Sequence, residues 1–281
     1  MPATPTYARR RLGTELRRLR NESHSTVDAV AQACGWSRWK VIRIEAGQSS
    51  VSRHDLHVLC RLYEAGKEDS ARLERWLEDG RDHRWWREYD NLIGAELEEY
   101  LSLESQASEI AVANMAMFPG LLHSEHYSRA VTYATPFTPD PDIAESVVEV
   151  RMRRQRILHG DNPARLSAVL GASLFLYETG GRNVLRGQIA HVLSMSELPN
   201  CEVHIVPLSA TSTVLSGGIT VFDFPDPQDP SVAYAEHPNG LVARDGAIDV
   251  RRHRRMVDYL KANALSPEDS RAFLVARLEE L

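Results

Sequence analysis

Lysine is nearly absent from this chain of 281 residues: it occurs only at Lys40, Lys67 and Lys261, so almost every positive charge is an arginine. That bias points to a GC-rich coding genome rather than to a chemical task. Cysteine is as sparse. Cys34, Cys60 and Cys201 are scattered, odd in number and without a C-x-x-C spacing, which argues against a disulfide framework or a cysteine-based zinc site and fits a reducing cytoplasm. No run approaches the roughly 18 unbroken apolar residues of a membrane helix. The basic start from Met1 to Gly13 is not followed by an apolar segment, so neither export nor membrane spanning is expected. H-E-x-x-H, the P-loop pattern and the G-x-S-x-G elbow are all missing; no cofactor, metal or catalytic set is indicated.

What is present is an ordinary globular composition, 43% hydrophobic and 26% charged, long enough for two domains. Taken over the whole chain, the formal net charge of -6 argues against a nucleic-acid partner. It is unevenly distributed, however. Residues 7 to 67 hold twelve Lys or Arg against six Asp or Glu, a net +6 that leaves -12 for the rest. A split of this kind suggests a nucleic-acid-binding module joined to something else.

The basic segment has helical punctuation. Leu12, Leu16 and Leu19 form an i, i+4, i+7 stripe flanked by arginines and ended by Asn21 and Ser23. Thr26 caps a second helix that Gly35 stops, and Ser37 caps a third, Arg38 to Ala46, with Val41 and Ile44 inward and Gly47 as terminator. Two compact helices joined by so short a turn make a helix-turn-helix. Ser52-Arg53-His54-Asp55 opens a fourth helix.

The run Leu16-Arg17-Arg18-Leu19-Arg20, then Gly35-Trp36-Ser37, then Val41-Ile42-Arg43-Ile44-Glu45-Ala46-Gly47 resembles the DNA-binding domain of Xre-type, lambda-repressor-like regulators. The resemblance implies that the third helix enters the major groove of double-stranded DNA. Thr26, Ser37, Arg38, Trp39, Lys40, Ile42 and Arg43 would then meet DNA, and Glu45 would pair with an arginine of the first helix, Arg17. The sequence departs from that family's pattern at Val27, where a glutamine is usual, and at Trp39 and Ile42, where small polar residues are usual. Two readings stand: an operator with thymine-methyl contacts, or a decayed DNA site on a repurposed protein.

Beyond Gly80, Arg81-Asp82-His83-Arg84 forms a polar break before Trp85 and Trp86, a pair read as packing at a domain junction or dimer interface. Leu97 to Ile110 reads as one helix whose carboxylates are solvated. Val203 to Ile205, Ile219 to Phe224 and Val232 to Ala235 read as strands, with Leu166 to Leu176 as a further candidate; 143–158, 183–198, 249–264 and 267–278 read as helices. His123 and His126 have a spacing open to a metal but are more simply surface residues. Arg151, Arg153, Arg154 and Arg156 with Gln155 read as a solvated face, with anion or partner binding as the alternative.

Phe118-Pro119-Gly120-Leu121-Leu122, Ser124 to Ala130, Arg151-Met152-Arg153-Arg154-Gln155, Pro199 to Pro207, Gly217 to Phe224 and Leu265 to Ser270, with Trp85 to Tyr89 and Leu103-Glu104, resemble the large C-terminal domain of actinobacterial WhiJ-like regulators. The expected organisation is an all-α helix-turn-helix domain over residues 1–80, a connecting helical segment over 81–114, and an α/β (α+β) domain with a mixed sheet covered by helices over 115–281. The expected function is that of a cytoplasmic, antitoxin-like DNA-binding regulator. Its partners would be DNA, a second copy of itself, and either a small protein encoded nearby or a small-molecule effector. A ligand-modifying or biosynthetic enzyme on the same scaffold, and a pure sequestering module, are the alternatives.

Overall fold

The computed structural model describes residues 7–82, 85–89, 93–134, 140–210, 217–227, 229–237 and 240–281. The chain divides into two compact units, Met1–Glu88 and Tyr89–Leu281.

The first unit is helical: α1 (Tyr7–Glu22), α2 (Val27–Cys34), α3 (Arg38–Glu45), α4 (Arg53–Leu62) and α5 (Lys67–Asp82). One capping device opens three of them. Thr26 Oγ1, Ser37 Oγ and Ser52 Oγ each accept from the backbone N–H three residues on, at 3.1, 3.2 and 3.0 Å, satisfying a donor that the helix leaves unpaired. The stripe Leu12, Leu16, Leu19 is buried together with Val30, Val41, Ile44, Leu56, Leu59 and Leu73. Gly13 and Gly47 let α1 and the end of α3 touch backbone to backbone. A Cβ on Gly13 would fall inside van der Waals distance of the Ile44 carbonyl oxygen, and one on Gly47 would lie 2.8 Å from Arg10 Cα. The polar break expected after Gly80 differs in detail: Arg81 and Asp82 continue α5, and His83 and Arg84 lie outside the described residues.

The second unit carries a mixed sheet among its described residues, with strands in the order β3-β2-β1-β4-β5-β6. β1 (Glu109–Asn114), β2 (Arg165–Gly171) and β3 (Cys201–Val206) are parallel; β4 (Ile219–Asp223), β5 (Val232–His237) and β6 (Gly240–Arg244) continue antiparallel from β1. The helices are α6 (Ala95–Glu104), α7 (Glu125–Ala134), α8 (Pro141–Arg154), α9 (Arg182–Met195), α10 (Ala247–Ala262) and α11 (Pro267–Glu280). α10 covers one face, placing Val250, Val257 and Leu260 on Ala113, Val169, Val221 and Ala233. The opposite face, through Ile110, Val112, Thr220, Phe222 and Tyr234, meets Tyr100 of α6, whose ring stands edge-on to Phe222 and Tyr234. The edge strand β3 is closed off by the α10–α11 corner: Ile205 N donates to Ser270 Oγ at 3.0 Å and its carbonyl accepts from Leu265 N, so the edge offers fewer unpaired groups to another chain.

The sheet corrects three expectations. Ile110 is not helical: α6 stops at Glu104, and residues 109–114 form the central strand, so this stretch belongs to the sheet rather than leading to it. Its alanines suit a helix, but pairing on both sides decides for a strand. The candidate strand from Leu166 ends at Gly171, after which residues 172–175 turn as a 3-10 helix. Glu104 is not solvated. It is buried, and its carboxylate takes a bidentate bond from Arg154 at 2.8 and 2.7 Å.

Gly13→Ala is expected to destabilise the helical unit by about 1–3 kcal/mol, read from urea unfolding, because the added methyl overpacks the α1–α3 contact. At an exposed helical glycine the same change would stabilise by up to about 1 kcal/mol, so the sign of the shift checks the close approach.

Candidate nucleic-acid interface

α2, the turn Gly35-Trp36-Ser37 and α3 form the helix-turn-helix. Gly35 takes φ 66°, and the Trp36 N–H donates back to the Ala31 carbonyl at 2.8 Å, closing α2 with the turn that a left-handed residue permits. Trp36 packs half-buried on the core. Val27 is also half-buried against that core, so its departure from the family pattern substitutes packing for a polar contact.

α3 is two-sided. Val41 and Ile44 are buried, Ile42 is half-buried, and Arg38, Trp39 and Arg43 are exposed. Trp39 is 72% exposed, far beyond what core packing would leave on a large aromatic. Lys40 is held rather than free: its Nζ lies 3.7 Å from the centre of the Trp36 ring and 3.4 Å from Asp55 Oδ2. Arg38 reaches Asp28 at 3.2 Å, linking the starts of α2 and α3, but both partners are exposed and such a pair contributes little. Thr26 and Ser37 lie at these two starts. Each hydroxyl accepts its cap bond and keeps its own proton for donation to a phosphate oxygen, beside helix N-termini that favour anions. The structure thus gathers Thr26, Ser37, Arg38 and Trp39 around the two helix starts; Arg43 lies one turn further along α3 and Ile42 turns partly inward.

Glu45 corrects the expected partner. Its carboxylate takes a bidentate bond from Arg20, at 2.6 and 3.0 Å, and Arg20 also donates to the Ser25 carbonyl at 2.9 Å. Arg17 is exposed. The reason is the helical period: Arg20 follows Leu16 by four and lies along the buried stripe, whereas Arg17 follows Leu16 by one and is turned about 100° away. The bond with Glu45 raises the Arg20 pKa against the burial that opposes it. Trp85 and Trp86 sit in a short 3-10 turn with their rings edge-on, centroids 5.7 Å apart; Trp86 is buried and Trp85 half-buried. Sequence reasoning missed the Glu15 carboxylate, which joins Arg18 to the buried Arg72 at 2.8 and 2.5 Å. A pairing across 57 residues leaves no local signal.

Two family models match the sequence. Residues 11–73 match a helix-turn-helix domain, which spans the cluster just described. Residues 97–276 match a domain of unknown function, DUF5753. The chain belongs to the DUF5753 family. No curated protein and no solved structure matches it. The helix-turn-helix domain points to a DNA-binding regulator, and the DUF5753 domain supplies the mixed sheet with its helices. No helix among the described residues is long and apolar enough to cross a membrane.

Glu45→Ala should cost about 3 kcal/mol in urea unfolding of the helical unit, because it strands the nearly buried Arg20 guanidinium. Arg17→Ala should stay within about 0.5 kcal/mol of the parent.

Proposed function

We propose that the protein is a sequence-specific transcriptional regulator of the Xre type with a WhiJ-like C-terminal domain, cytoplasmic and dimeric. The reader is confined to residues 1–80, and the C-terminal domain dimerises and receives a signal or an antitoxin-style protein partner. The observation that carries the reading is the two-sidedness of α3. Its inner face is core, while Arg38, Trp39 and Arg43 stand in solvent within a segment bearing twelve cationic side chains. In the major groove, arginine reads guanine bidentately and an apolar surface such as Trp39 or Ile42 meets the thymine methyl. Thr26, Ser37 and Lys40 hold phosphates, which set register and affinity without naming a base. The acidic remainder of the chain repels DNA and limits contact to this face. The dimer reading rests on the family resemblance and, of the tryptophan pair, on the half-buried Trp85, since Trp86 is already buried within the chain.

A duplex from the region upstream of the protein's own gene is expected to be retarded in a gel-shift assay. Arg43→Ala should weaken retention and relax base preference, and Lys40→Ala should weaken it on every sequence, lowering the log-log salt slope by about 0.9. Retention that ignores salt and tolerates both changes would overturn the proposal. In a two-fold dimer the protected half-sites should lie about 34–36 Å apart.

A further inference from the structure

The DUF5753 domain holds a partly open pocket of about 130 Å³ between α6, the sheet face and the loop that follows β1. Its apolar wall includes Leu97, Ile110, Val112, Met117 and Leu241, and its polar groups are Arg151, Arg154, His123, Tyr100, Thr220 and Glu236. It lies where β1 ends and the sheet changes from parallel to antiparallel pairing, the kind of crevice in which open α/β sheets hold ligands.

The polar groups do not cancel one another. Arg154 is matched by Glu104, over the Tyr100 ring. Arg151 has no such match. It donates through one nitrogen to Thr132 Oγ1 at 2.6 Å and to the Ser128 carbonyl at 3.4 Å, and no carboxylate among the described residues pairs with it. Burial, reinforced by the charge of Arg154, pushes its pKa down to about 10. Its Nε–H and both Nη2–H groups, three of the five donors, remain.

Two acceptors keep unused capacity. The Phe118 carbonyl accepts from His123 Nε2–H at 2.7 Å, which leaves Nδ1 a bare acceptor, and Nδ1 has no partner although the residue is 98% buried. Burial and the neighbouring Arg151 lower the His123 pKa to about 3, so the ring is neutral. Glu236 is bonded through Oε2 to Asn114 Nδ2 at 3.0 Å. The bond passes over Gly218, where a Cβ would lie 2.7 Å from Asn114 Nδ2. Burial raises the Glu236 pKa and outweighs the opposing pull of the Arg154 charge and the Asn114 bond, and Arg154 itself is already matched by Glu104. The loop wall is preformed: Gln155 donates to the Gly120 and His123 carbonyls, and Gln188 donates to that of Leu122 and accepts from Ser124 N.

We propose that this pocket binds a small zwitterion of the amino-acid class, with its carboxylate on Arg151, its ammonium on Glu236 and His123 Nδ1, and an aliphatic side chain against Ile110, Val112 and Leu97. An apolar cavity of about 150 Å³ admits benzene; this pocket is somewhat smaller and partly open, which limits the apolar part to a side chain of three or four carbons, that of valine or leucine. The proposal rests on the reading of the C-terminal domain as a signal receiver, and it names the signal's class and its seat.

The test is calorimetric titration and thermal melting of the full chain with valine and leucine, against 4-methylpentanoate, which lacks the ammonium, and 3-methylbutylamine, which lacks the carboxylate. At least one amino acid should bind and raise the melting temperature, with each comparator about tenfold weaker or more. Arg151→Leu and Glu236→Gln should each weaken binding by about tenfold or more. Arg151→Lys keeps the charge without the fork and should bind with intermediate affinity, which separates lost recognition from lost folding. Failure of both amino acids to bind, comparators that bind as tightly, or variants that bind like the parent would each overturn the proposal. Gel shifts on the same samples separate it from the DNA reading: a protein that holds DNA but no amino acid sinks only this inference.

Discussion

The buried bidentate pair between Arg154 and Glu104 is the constraint around which the DUF5753 domain is arranged. Neither charge is tolerable alone inside the unit, so the end of α6 must meet the end of α8. Burial by itself would lower the Arg154 pKa; the opposing Glu104 outweighs it and keeps the guanidinium charged. With that charge present and neutralised, Arg151, one helical turn earlier on α8, becomes a surplus cation facing the same pocket. The pair therefore does more than tie two helices together. It determines which charges in the interior are spent and which remain for a ligand.

The helical unit uses the same logic on a smaller scale. Arg20 and Glu45 clamp α1 to the last residue of α3, and Gly13 and Gly47 allow the two backbones to close on each other. A helix held so tightly at its end presents its outer residues in a fixed frame, which is what reading a groove requires. Trp36 extends that frame to Lys40 through the cation-π contact, so a lysine expected from the sequence to meet DNA is partly placed beforehand.

Local chemistry was legible where residues act on near neighbours. The caps Thr26, Ser37, Ser52 and Ser266 stand at their helix starts, and Val41 and Ile44 are buried as their period required. Legibility failed where the partner is remote. Ile110 looked helical because Leu103, Ala107 and Ile110 repeat at helical spacing, yet two flanking strands claim it. Arg151 and Arg154 looked like a solvated arginine run, because nothing near them announces a glutamate fifty residues away. Gly217-Gly218, just ahead of β4, have the pattern of a tight turn. Gly217 does take φ 98°, but the reason for Gly218 is the Asn114–Glu236 bond passing over it.

By itself the amino-acid sequence determined the helix-turn-helix, the +6 charge of its segment and the succession of most helices and strands, since capping, periodicity and charge act over a few residues. Only the tertiary structure decided that Glu45 pairs with Arg20, that residues 109–114 are the middle of the sheet, and that Arg151, His123 and Glu236 share one pocket. Those outcomes depend on desolvation, and a charge or a lone pair is desolvated only by what the fold brings against it.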